Sequence, residues 1–232
     1  MKPELAAIFK EYESFAKQVD GVWETVRKQF PESVQCKIGC SDCCHALFDI
    51  TLVEALYIND KFITELPENR KNEILAIANK TDRNIYKLKR KAFKAVEAGE
   101  KTEEQVLFEM AAERSRCPLL NLNDRCDLYD YRPLTCRLYG IPTSIGGRGH
   151  TCGLSSFSEG QSYPTVNLDK VYSKLYDLSV DIINTLQSSH KEMSKILMPL
   201  SMALLTVFDD YYLGLKSEEL KDSNQQKDLK NE

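Results

Sequence analysis

Ten consecutive residues carry four thiols and an imidazole: Cys36-Lys-Ile-Gly-Cys40-Ser-Asp-Cys43-Cys44-His45. No other stretch restricts the fold as strongly, because thiols this dense either oxidise to disulfides or serve as soft ligands for zinc or an iron–sulfur cluster. Cys117, Cys126, Cys136 and Cys152 complete a set of eight. The first half is C-x3-C-x2-C-C and the second C-x8-C-x9-C-x15-C, with 72 residues between Cys44 and Cys117. Bringing the halves together closes a long loop. A metal can stabilise that closure, since its binding free energy is then folding free energy.

Compartment decides between disulfides and metal. The start, Met1-Lys-Pro-Glu-Leu-Ala-Ala-Ile-Phe-Lys-Glu, places charges where a signal peptide needs an apolar run. No stretch reaches the roughly 18–20 apolar residues of a membrane span. A soluble cytoplasmic protein is therefore expected, and in a reducing compartment four structural disulfides are disfavoured. The net charge of −4 gives no reason to expect a nucleic-acid partner. At 232 residues the chain can bury a real core. One helical metal-binding domain is expected over residues 1–215, with a cysteine core at 36–45 and 117–152. The polar stretch 216–232 is expected to be a disordered tail.

Apolar periodicity supplies the helices. Leu5, Ile8, Phe9, Tyr12, Phe15, Val19, Val22, Trp23 and Val26 predict one amphipathic helix from about Pro3 to Gln29, ended by Pro31. Thr51-Leu-Val-Glu54 reads as a capping box opening a helix to about Leu66. Pro67 suits the first turn of a third helix, faced by Ile74, Ala78, Ile85, Leu88, Ala92 and Val96 and stopped at Gly99. Thr102-Glu-Glu-Gln105 is a second capping box. From Pro118 to Tyr129 the pattern becomes turn-rich with period two, predicting a hairpin near Asn123-Asp124. Arg132-Pro133 opens a short helical turn carrying Cys136, and residues 140–160 read as mostly loop. Val166, Val171, Leu175, Leu178, Ile182 and Leu186 restore the helical period. Pro199 then separates a last helix, Leu200 to about Leu213. The expected fold is mainly α, with long N- and C-terminal helices around a small irregular cysteine-rich core and a short β-hairpin.

Within the core, Cys40 and Cys43 form a C-x2-C clamp frequent at zinc. Cys36, Cys40 and Cys43 form a tripod able to hold three corners of a four-iron cluster. The same tripod marks radical S-adenosylmethionine enzymes, but no strand precedes it, no βα repeat follows, and Asp42 stands where those enzymes usually carry an aromatic. Adjacent Cys43 and Cys44 point about 100° apart if helical, so Cys44 either serves a second site or is a buried thiol. His45 and His150 are substitute ligands or ordinary packed histidines. Arg132 and Arg137 flank Cys136. They are surface charges, or they offset the net charge of −2 that four thiolates leave on a divalent ion.

The segments Cys36 to Cys44, Cys117-Pro-Leu-Leu, Cys126-Asp-Leu-Tyr-Asp-Tyr-Arg132-Pro133-Leu-Thr-Cys136-Arg137 and Cys152-Gly resemble the YkgJ-type cysteine-cluster proteins, the CxxCxxCC zinc- or iron-chelating domain family. The first gap is x3 where the family name has x2. The cysteine pattern is also similar to that of flagellin lysine-N-methylases, which implies an iron–sulfur cluster. On this resemblance all eight cysteines are metal-ligand candidates, for an iron–sulfur cluster of 4Fe-4S type or for Zn2+.

Three functions compete. A metal or iron–sulfur module with a redox, sensing or metal-handling role needs only the cysteines and a helical shell. A cluster-dependent protein-lysine methylase or other transferase also needs a cosubstrate site, and Gly146, Gly147 and Gly149 match no nucleotide fingerprint. A structural zinc domain would present its helices to a protein partner.

Overall fold

The computed structural model describes residues 2–215. The expected tail, 216–232, lies outside the described residues. Helix α1 (Ala6–Gln29) follows a single 3-10 turn at Pro3–Leu5 and buries Ile8, Phe9, Tyr12, Ala16, Val19 and Val26. After the cysteine-rich stretch, strand β1 (Asp49–Thr51) leads into α2 (Leu52–Glu65). From Leu52 to Asn59 every residue of α2 is buried. That makes α2 the central helix, a burial that the capping box at its start does not announce.

Helix α3 (Glu68–Glu97) ends where Gly99 takes a φ of 70°. The Gly99 N–H reaches the Val96 carbonyl and the Glu100 N–H the Ala95 carbonyl, satisfying the last carbonyls in a Schellman arrangement. Helix α4 (Glu103–Ala112) starts on the expected box, with Thr102 and Gln105 bonded reciprocally. Helix α5 (Leu134–Leu138) is the short turn that carries Cys136.

Strands β2 (Thr143–Ile145) and β3 (Arg148–His150) pair antiparallel, and β4 (Val166–Asn167) joins β2 in parallel. Helix α6 (Leu168–Thr185), capped by the Asn167 side chain, buries Val171, Leu175, Leu178, Ser179, Ile182 and Ile183. Strand β5 (Leu197–Pro199) pairs antiparallel with β1, and α7 (Leu200–Leu205) follows. No helix of the described residues is long and apolar enough to cross a membrane.

Three local expectations change. The regular hairpin lies at 143–150, within the stretch read as loop, because Gly146 and Gly147 both take positive φ and make the two-residue turn that hairpins favour. The hairpin expected near Asn123-Asp124 reduces to one bridge, Leu120 to Cys126, around a turn whose N–H groups bond to the Asn121 side chain. The last helix stops at Leu205, well short of Leu213. Asn59 of α2 donates to the Ala203 and Thr206 carbonyls at 2.9 and 3.1 Å, so a tertiary contact satisfies that end.

Two apolar clusters hold the fold. One joins α1, α2, α5 and α6. The other joins α2, β1, the start of α3, α7 and residues Leu119 and Leu128. Cys36 packs against the first, and Cys117 and Cys126 against the second.

Candidate metal centre

The first cysteine segment is a series of tight turns. Gly39, at φ 86°, permits a turn in which the Cys40 N–H bonds to the Lys37 carbonyl at 3.0 Å. A 3-10 turn, Asp42–His45, then carries Cys43 and Cys44. Backbone bonds draw the second segment alongside. The Cys117 N–H reaches the Cys44 carbonyl at 2.7 Å, the Ser115 N–H reaches the His45 carbonyl at 2.9 Å, and Ala46 bridges Arg114. Cys44 and Cys117 thus stand side by side although they are far apart in sequence. The Leu120–Cys126 bridge returns Cys126 to the same place, and α5 delivers Cys136.

Cys36, Cys40, Cys43, Cys44, Cys126, Cys136 and Cys152 line one cavity of about 970 Å³. Its other walls include Tyr12, Glu13, Asp20 and Trp23 of α1. Cys117 does not line it. It lies in a smaller cavity of about 50 Å³, together with Cys43, Cys44, Cys126 and Cys136. All eight cysteines are reduced. Among the described residues no three His, Cys, Asp or Glu side chains are placed to grip one ion. His45, bonded through Nδ1 to the Ser41 carbonyl, and His150, exposed on β3, line neither cavity.

Burial, followed by repulsion from Cys40, pushes the Cys36 thiol up to about 11. Burial and then Cys126 push Cys117 up to about 12, and burial pushes Cys126 to about 11. Cys136 is raised by burial and by Cys43, and Cys43 by its hydrogen bond to Cys44 and then by burial. Burial leads these shifts for Cys36, Cys117, Cys126 and Cys136, and the bond to Cys44 leads for Cys43. Thiolates here would be packed together with little water, and a bound cation is what would stabilise them.

The two arginines beside Cys136 separate in role. Arg137 is buried, and its guanidinium bonds Asp20 at 2.6 Å, the Arg132 carbonyl at 2.8 Å and the Asp130 carbonyl. It ties α1 to the loop before α5 and is not aimed at sulfur. Arg132 lines both cavities, stacks its Cζ 3.6 Å from the centre of the Tyr129 ring, and leaves its buried Nε without a hydrogen-bond partner. Its positive charge lowers the thiol pKa values of Cys36, Cys43, Cys126 and Cys136 against the upward pull of burial.

Sequence reasoning missed three contributors. Asp42 receives Arg114 at 2.6 Å, the Tyr139 hydroxyl at 3.1 Å and the Cys152 thiol at 3.5 Å, so one carboxylate gathers three segments. Burial opposes its charge, but the bonds from Tyr139 and Arg114 outweigh this and hold its pKa below the usual value. The signal was an acid placed inside a cysteine motif. The Trp23 indole donates to the Tyr139 carbonyl at 3.0 Å, bringing α1 to the cavity. Gly140, at φ 93°, lies so close to Cys36 that an added Cβ would meet its Sγ at 2.3 Å.

The donor set suits a thiophilic metal group: sulfurs dominate the cavity lining and an unpartnered guanidinium N–H stands beside them. Residues 35–153 match the family model CxxCxxCC, described as a putative zinc- or iron-chelating domain. Neither the curated proteins nor the solved structures contain a match to this chain. The matched segment is just over half of the chain and contains every cysteine discussed above, so the chain belongs to the CxxCxxCC family of zinc- or iron-chelating domains.

Proposed function

We propose that the chain is an iron–sulfur protein, its cluster held by thiolates of Cys36, Cys40 and Cys43 with a fourth from Cys117, Cys126 or Cys136. The observation that carries this is the lining of one large cavity by seven of the eight cysteines. The C-x3-C-x2-C spacing of Cys36, Cys40 and Cys43 is a tripod that a four-iron cluster accepts. A cluster with its own bridging sulfides is larger than a single ion and takes one thiolate per corner, which suits sulfurs spread around a cavity. The other four thiols, Cys44, Cys152 and the two of Cys117, Cys126 and Cys136 not used by the cluster, remain as members of a second site or as thiols acting on the first. A cluster in this position would serve redox, sensing or metal handling.

Cavity size favours one second reading. At about 970 Å³ it is at the upper end of small-molecule sites, roughly 300–1,000 Å³. That leaves room for a substrate beside the cluster, as a cluster-dependent transferase such as a protein-lysine methylase requires.

Anaerobic purification followed by iron, zinc and acid-labile sulfide analysis tests the proposal. Iron with equivalent sulfide and a band near roughly 400 nm is expected. Colourless protein with stoichiometric zinc and no sulfide overturns it. Cys40→Ser should lose most of the metal, because Cys40 belongs to both the C-x2-C and C-x3-C spacings, and Cys44→Ser should lose less.

A further inference from the structure

The outer face of α3 is densely cationic. Between Lys80 and Lys94 the chain has seven Lys or Arg residues and a single acid, Asp82, although its net charge is −4. Lys89 turns inward and pairs with Asp49. Asp82 is half-buried and accepts a hydrogen bond from Ser201 at 3.2 Å. The other six cations, Lys80, Arg83, Lys87, Arg90, Lys91 and Lys94, are all exposed. Among the described residues none of the six forms an ion pair; the salt bridges of α3 involve Arg70, Lys71 and Lys89.

Their spacing is ordered. Lys80, Arg83, Lys87, Arg90 and Lys94 follow one another at alternating steps of three and four residues, the seam on which a second helix packs. At about 100° per residue all six cations fall within an arc of roughly 100°, opposite the buried Ile74, Ala78 and Ile85. The stripe is about 21 Å long, at 1.5 Å per residue. Tyr86 and Phe93 run along one edge, one heptad apart, and are 62% and 67% exposed. Two exposed aromatics beside an unpaired cationic seam are what an interface core and its charged border require.

We propose that the outer face of α3 docks an acidic amphipathic helix of a partner protein. Glu or Asp at the heptad positions of that helix would meet the six cations, and apolar side chains on its flank would cover Tyr86 and Phe93. Charge complementarity sets the sign of the partner, and the heptad spacing sets its secondary structure. A polynucleotide or an anionic bilayer also matches the charge, and tighter binding to either is an outcome that overturns the proposal. The proposal does not depend on what the thiols bind.

The test uses the full chain and a synthetic fluorescent helix of about three heptads with Glu at the seam positions and Leu beside them. The comparison probe is a peptide of the same composition in scrambled order. Duplex DNA and phosphatidylserine vesicles complete the set. The patterned helix should bind about tenfold more tightly than the scrambled peptide. Lys87→Glu/Arg90→Glu/Lys94→Glu should weaken it by at least about tenfold, each exposed pair contributing modestly. Should that variant unfold, the same three positions changed to Gln must still weaken binding. Phe93→Ala should reduce binding several-fold without changing the response to salt. Equal binding of patterned and scrambled peptides, tighter binding to DNA or vesicles, or no effect of neutralising the seam overturns the proposal.

Discussion

Arg132 stacks on Tyr129, leaves a buried Nε–H unpartnered and acts on the thiols of Cys36, Cys43, Cys126 and Cys136. A buried donor without a partner is costly, and a metal-bound sulfur is an acceptor of suitable charge. Arg132→Met should therefore weaken metal binding by about 10–100-fold in a chelator competition, the range for residues that hydrogen-bond to metal ligands. Arg137→Met should act differently, lowering thermal stability more than metal affinity, because its bonds go to Asp20 and backbone carbonyls. Gly140 is the second decisive residue. Gly140→Ala would place a methyl 2.3 Å from the Cys36 sulfur at a φ of 93°. The backbone strain alone costs roughly 1–2 kcal/mol. Denaturant unfolding should show at least that loss, and metal content should fall because Cys36 is displaced.

At the scale of elements, Glu54 joins the start of α2 to the helix that carries Cys136. Its buried carboxylate accepts the Thr51 N–H at 3.1 Å, the Thr51 hydroxyl at 3.0 Å and the Leu134 N–H at 2.9 Å. Thr51-Leu-Val-Glu54 was legible in sequence as a capping box, but the third bond, across to α5, was not. Glu54→Ala strands buried N–H groups and should cost about 1–3 kcal/mol per group left unmade. Glu54→Gln retains an acceptor and should cost less. Chemical denaturation of both variants, read with their metal stoichiometry, separates loss of a cap from loss of α5 placement.

At the scale of the whole molecule, Cys36 packs on one apolar cluster and Cys117 and Cys126 on the other, and metal would close the long loop between Cys44 and Cys117. Chelation should lower the Tm and expose 36–45 and 117–152 to protease, while far-ultraviolet dichroism retains the helices of the two clusters. The sign with pH follows from thiols held above their ordinary value near 9, at about 11 for Cys36 and Cys126 and about 12 for Cys117. The metal-free fold binds their protons more tightly than the unfolded chain does. That stability is fully present below about pH 9 and is lost as pH rises through 11–12. Metal binding expels those protons, so affinity should rise with pH, by about tenfold per pH unit for each thiol ligated. Titrations of the metal-free and loaded forms should therefore diverge as pH rises.

The sequence by itself determined the helical class, both capping boxes, the Gly99 stop and the cysteine pattern of the family, because these depend on local backbone preference and on residue type. Only the tertiary structure decided which arginine faces the sulfurs, that Asp42 and Gly140 shape the cavity, that α1 walls it, and that α7 stops at Leu205. Each of those rests on a contact across the fold, such as Arg137 to Asp20, Asp42 to Cys152 and Asn59 to Thr206. Such contacts leave no periodic trace, since a hydrogen bond between residues a hundred positions apart constrains neither one's neighbours in the chain.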